Sequence, residues 1–72
     1  MEIDDMPRYE VGKIVNNETK LICVDDDIEK CINIYKELIN KYKNNEYHII
    51  LYIYDFDKNC NIEYYDNQDE LC

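Results

Sequence analysis

Serine, alanine and tryptophan are absent from this 72-residue chain, and glycine, proline, histidine, threonine and phenylalanine occur once each. With no serine there is no serine nucleophile, and a single glycine cannot build the glycine-rich loop that cradles phosphates. One histidine, His48, leaves little from which to assemble proton-transfer chemistry, so no catalytic residue is expected. No apolar run reaches the ~18 residues of a membrane-spanning helix, and Met1-Glu2-Ile3-Asp4-Asp5 lacks both the basic and the apolar regions of a secretory signal. The four cysteines, Cys23, Cys31, Cys60 and Cys72, form no C-x-x-C, which argues against a zinc knuckle or a thioredoxin-type site. The expectation is an intracellular, cytoplasmic protein with reduced thiols, in which Cys23 and Cys31 act as small hydrophobes within apolar segments. Neither a metal nor another cofactor is expected.

What is abundant is acid, isoleucine, asparagine and tyrosine. Seventeen Asp and Glu oppose eight Lys and Arg, a formal charge of −9 on 8.8 kDa. That balance argues against direct binding to nucleic acid or to an anionic membrane, and favours a partner with a basic surface. The chain is nevertheless expected to fold, because 46% of its residues are hydrophobic, far from the apolar-poor composition of disordered chains. Its length allows one domain with a small core, and no two-domain cleft. The excess of isoleucine, asparagine and tyrosine is the bias expected of a very AT-rich genome.

Hydrophobic periodicity divides the chain into five elements. An acidic lead-in over 1–7, ending in Pro7, is expected to be flexible. Residues 8–15 alternate as a strand, with Tyr9, Val11 and Val15 on one face and Ile14 on the other, and Asn16-Asn17-Glu18 turns the chain into a second strand over 20–24. Asp25-Asp26-Asp27 offers carboxylates to a helix start, and Asp26 with Glu29 three residues on resembles a capping box. From Ile28, Cys31, Ile32, Tyr35, Leu38, Ile39 and Tyr42 recur at helical spacing, until Asn44-Asn45 stops the helix. Residues 47–56 are apolar on both faces, as in a central strand, with Tyr47, Ile49, Leu51 and Ile53 on one side and His48, Ile50, Tyr52, Tyr54 and Phe56 on the other. After a turn at 57–59 a final strand over 60–65 is expected to point Cys60, Ile62 and Tyr64 inward and Asn61, Glu63 and Tyr65 outward, followed by an acidic tail over 66–72. The predicted fold is α+β, β-β-α-β-β, a four-stranded, antiparallel-rich sheet with one helix on one face. Ubiquitin-like β-grasp domains share this element order, although no β-grasp motif is matched.

Charge is distributed unevenly: −5 over residues 1–27, +2 over 28–44 and −6 over 45–72, by counting Asp and Glu against Lys and Arg. The helix is the only basic element, so the acids belong to strands, turns and tails. Spaced carboxylates can imitate a phosphate backbone and occupy a Lys/Arg groove, whereas the plain alternative is a surface that keeps the protein soluble. A single helix covers one sheet face and leaves tyrosines on the other, which has the composition of a protein-binding surface; a homodimer seam is the alternative. The expected partner-binding residues are Tyr52, Tyr54, Asp55, Asp57, Glu63, Tyr65, Asp66 and Asp69. The segment from Asp55 to Asp66 also resembles an EF-hand calcium loop in its oxygen-bearing positions, but Cys60 stands where the loop needs Gly and Asp66 where it needs a bidentate Glu, so an ordinary hairpin turn is preferred.

In size, acidity and lack of catalytic residues the whole chain resembles the anti-CRISPR proteins, small inhibitors encoded by phages and mobile elements. The resemblance is one of character and carries no diagnostic motif. It implies a non-enzymatic inhibitor that binds the basic, nucleic-acid-binding surface of a host defence effector by mimicry or steric block. An immunity protein or antitoxin against a basic nuclease toxin, and a homodimeric structural or interaction module, are the competing classes.

Overall fold

A computed structural model describes residues 7–68 of the chain. The lead-in over 1–6 and the tail from Asp69 onward, including the expected contact at Asp69, lie outside the described residues. The elements are β1 (Tyr9–Val15), β2 (Glu18–Asp25), α1 (Ile28–Tyr42), β3 (Ile49–Asp55) and β4 (Cys60–Asp66), in the sheet order β2-β1-β3-β4 with every neighbouring pair antiparallel. This is the α+β arrangement expected. β1 and β3 are the central pair, in agreement with the two-faced apolar pattern of residues 49–54.

The β1–β2 hairpin closes through Asn16 and Asn17, both in the left-handed region at φ 55° and 67°. Asparagine tolerates that conformation, and two such residues in succession give the twist that a two-residue hairpin requires. The helix begins one residue later than the Asp26-Glu29 pattern suggests: Asp27 is the N-cap, and its carboxylate accepts from Glu29 N at 2.9 Å. All three aspartates are used, since Asp25 accepts from Asp27 N at 2.8 Å and Asp26 accepts from Arg8 N at 2.9 Å. Asp26 thus ties the start of β1 to the start of α1 instead of capping the helix.

Helix α1 crosses one sheet face and buries Cys31 and Tyr35 against Tyr9, Val11, Ile49, Leu51 and Ile53. Ile28, Ile32, Leu38, Ile39 and Tyr42 pack around this cluster, as their spacing predicts, and Ile34 joins them. Val11, Leu51 and Ile53 are completely inaccessible, and each buried aliphatic side chain of this kind contributes about 1.5–3 kcal/mol. Cys31 is fully buried and Cys23 half-buried beside the core, the hydrophobe role expected of them; burial pushes both thiols up. Cys60 is exposed at the start of β4.

One expectation about β4 is overturned. The β3–β4 register slips between Ile53 and Tyr54, so that Ile53 opposes Glu63, Tyr54 opposes Asn61, and Ile62 is the extra residue of a β-bulge. A bulge inverts the alternation beyond it. Ile62 still packs on the core, but Tyr65 also turns toward the helix and Tyr64 toward the open face, the reverse of simple alternation. The sequence around the bulge is apolar at 60, 62, 64 and 65, so either phase was available to it.

At the far end of the sheet, Asn67 binds three segments together. Its Oδ1 accepts from Ile49 N at 2.8 Å, while its Nδ2 donates to Tyr47 O at 2.9 Å and Tyr42 O at 3.1 Å. Asn67 N donates in turn to Ile49 O at 3.1 Å. One side chain therefore fixes the helix end, the entry to β3 and the exit from β4.

Candidate interaction surface on the helix-free sheet face

With the helix on one side, the residues of opposite phase form an open face. β1 contributes Glu10, Gly12 and Ile14; β3 contributes Ile50, Tyr52 and Tyr54; β2 and β4 add Leu21, Val24 and Tyr64 by register. Leu21 is 59% exposed and Tyr64 60% exposed, and Val24 and Phe56 are also uncovered. No second helix is present among the described residues to shield them. Monomeric proteins seldom leave so many large apolar side chains on one face without a use.

Tyr52 is the exception on this face, only 8% exposed, because it is sunk into a gap that the sheet itself provides. Gly12 lies directly opposite on β1, and a Cβ there would fall 2.5 Å from Tyr52 Cζ. The only glycine of the chain is therefore the seat of a tyrosine ring. The phenol donates to Glu10 Oε2 at 2.6 Å, and its proton is held tightly: burial first, then this carboxylate, pushes the Tyr52 pKa up to about 12. Tyr54 and Phe56 make an edge-to-face pair with ring centroids 5.1 Å apart, an arrangement that fixes both rings. These two rings and that of Tyr52 line a shallow groove of about 450 Å³ together with Glu10, Ile14, Thr19 and Asn61.

The acids are placed differently from the expectation. Asp55 is 2% exposed and points to the helix side of the sheet end, where Arg8 Nε and Nη2 donate to its two oxygens at 3.1 and 3.2 Å. Asp57 N also donates to it at 2.9 Å. The Arg8 guanidinium, followed by the Asp57 and Lys58 backbone amides, holds the Asp55 carboxyl below its ordinary range. Asp55 is thus a structural anion and not a contact residue, a role that strand position alone could not reveal, because Arg8 is 47 residues away. The same bonds speak against a calcium loop, since its first ligand is already occupied by a guanidinium.

Glu63 and Tyr65, placed outward by simple alternation, lie on the helix side because of the bulge. Both stand close enough to Tyr35 to help burial push that phenol up to about 12. Asp66 lies opposite Ile50 at the edge of the open face and contacts His48 Nε2 at 2.8 Å; that contact, with the Gln68 amide, holds its carboxyl low. Asp57 lies at the strand-end turn with a side chain 72% exposed, in a longer ion pair with Arg8 Nη2 at 3.6 Å. Of the expected residues, Tyr52, Tyr54 and Asp66 share the open face and Asp57 borders it, whereas Asp55, Glu63 and Tyr65 do not.

The strand ends bring together a further set. Asp25, Asp26, Asp27, Asp55 and Asp57 gather at one pole, because Tyr9 is opposed by Asp25 on one side and by Asp55 on the other. At the opposite pole Lys13 donates to Tyr42 OH at 3.1 Å and Lys41 lies 5.3 Å from the same ring, and these cations lower the Tyr42 pKa.

Among the described residues no group of three metal-ligating side chains occurs, and no helix is long and apolar enough to cross a membrane. No family model matches the chain, and no curated protein or solved structure matches it either.

Proposed function

We propose that this chain is a non-enzymatic binding protein that seats its helix-free sheet face on a basic, nucleic-acid-binding surface of another protein, and so acts as an anti-CRISPR-like inhibitor in the cytoplasm of a host cell. The observation that carries this reading is the open face itself: Leu21, Val24, Phe56 and Tyr64 exposed together on a rigid sheet, with an acidic pole at one end. Tyrosine at such a face contributes contact area and a hydroxyl at little entropic cost, and flanking carboxylates steer a basic partner. Block of nucleic-acid loading follows from occupancy of the same Lys and Arg groups that nucleic acid would use.

The test is a titration of the chain into purified RNA-guided effectors of several types, reading target cleavage and guide or target binding. Stoichiometric inhibition of one effector is expected, weakening with salt and with Asp57→Lys, and lost in the Tyr54→Ala/Tyr64→Ala double variant. The proposal is overturned if no effector is bound at micromolar concentration, or if inhibition persists unchanged in the double variant.

A further inference from the structure

The groove on the open face combines aromatic rings with one carboxylate and nothing cationic. Of the side chains that bound it only Glu10 is charged, and among the described residues no lysine or arginine pairs with Glu10. The basic residues within β1 and just before it are committed elsewhere, Lys13 to Tyr42 and Arg8 to Asp55 and Asp57. Glu10 spends Oε2 on the Tyr52 hydroxyl and retains acceptor capacity on Oε1. Aromatic walls with an unpaired carboxylate are the complement of a cation that also has a flat face.

We propose that this groove binds the guanidinium of an arginine side chain presented by a partner protein, with Glu10 as its counter-ion and the rings of Tyr54 and Phe56 as its walls. The inference rests on the reading of this face as protein-binding and names the group it takes. Arginine fits better than lysine, because a guanidinium is planar, weakly hydrated, stacks on rings and can bond a carboxylate through two N–H groups. A second copy of this chain fits poorly. Pairing two of these faces would bring together two chains of charge −9, each with an uncompensated Glu10 in its groove, whereas a cationic side chain is attracted to it.

The probe is N-acetyl-argininamide, titrated into the isotope-labelled chain at about 0.15 M ionic strength, where long-range attraction to the acidic pole is screened. Amide shifts should map to Gly12, Tyr54 and Phe56, with the neutral isostere N-acetyl-citrullinamide at least about tenfold weaker and N-acetyl-lysinamide intermediate. Glu10→Gln, which keeps an acceptor for Tyr52, should weaken arginine binding about tenfold, and Phe56→Leu about threefold. Equal binding of citrulline and arginine sinks the assignment, as do shifts confined to Asp25–Asp27, unchanged affinity in both variants, or concentration-dependent dimerisation through the groove in its place. If an effector is inhibited but the arginine probe does not enter the groove, only the groove assignment fails. If the probe binds and no effector is inhibited, the groove stands and the inhibitor reading fails.

Discussion

Tyr52 on β3 occupies the space that a side chain on Gly12 of β1 would fill, and the two residues oppose one another directly across the central strand pair. A glycine in the middle of a strand is ordinarily a weakness, because it packs nothing and loses the most entropy on ordering. Here the ring from the neighbouring strand repairs that defect and closes one wall of the groove.

Gly12→Ala should therefore destabilise the fold by about 1–3 kcal/mol, the usual cost of forcing extra volume into a packed site, although alanine is otherwise better tolerated in strands. In a Tyr52→Leu background the same substitution should cost little or nothing. Chemical denaturation of the four-member mutant cycle checks the coupling; additivity of the two substitutions would refute it.

Alkaline pH should unfold the protein through two phenols. Tyr35 and Tyr52 are pushed up to about 12 in the fold from an ordinary 10, so the folded state favours the protonated form. The resulting stability is complete below pH 10 and is lost as pH rises toward about 12. Tyrosinate absorbance should show two late-titrating groups, reduced to one in Tyr52→Phe.

Acid pH acts with the opposite sign. Asp55 and Asp66 have carboxyls held below the ordinary value of 3.8, so their contribution is present above that value and disappears as pH falls through the folded values. Asp55→Asn should lower the thermal midpoint at neutral pH and flatten the acid limb of the stability profile, because it leaves Arg8 without its anion. Asp57→Asn, on the exposed neighbour, should leave the midpoint nearly unchanged. Equal effects of the two substitutions in thermal scans would show that the Arg8–Asp55 pair does not anchor the sheet end.

Asn67→Ala removes the acceptor for Ile49 N and the donor to Tyr42 O and Tyr47 O together. The expected loss is about 1–3 kcal/mol, since partly buried backbone groups are left without partners. Hydrogen exchange should accelerate at Ile49 and at the end of α1 while β1 and β2 stay protected. Uniform acceleration across the sheet would mean that Asn67 does not act as a local clasp.

Most of the fold was legible because it rests on local rules. The helical spacing from Ile28 to Tyr42, the alternation of β1, the two-faced pattern of β3 and the Asn16-Asn17 turn each declare themselves within a few residues, and together they allow only a sheet with one helix on it. The faces of β3 were legible too, so Tyr52, Tyr54 and Phe56 could be placed opposite the helix. The phase of β4 could not be read, since apolar residues at 62, 64 and 65 satisfy either face and the bulge at Ile62 is decided by packing against β3. Glu10 and Gly12, which complete the groove, carry no signal of their own beyond the rarity of glycine.

Element order, the apolar faces of helix and central strand, and the excess of acid over base all follow from residue pattern along the chain. Which of the acids stay exposed follows from contacts between distant segments. Arg8 and Asp55 are far apart along the chain, and their pairing turns a residue that looks like surface charge into a buried anchor, while Glu10 beside Tyr52 is left as the one charged group of an aromatic groove. Burial and partnership depend on contacts between distant segments, and those are set by strand order and register, which local pattern does not encode.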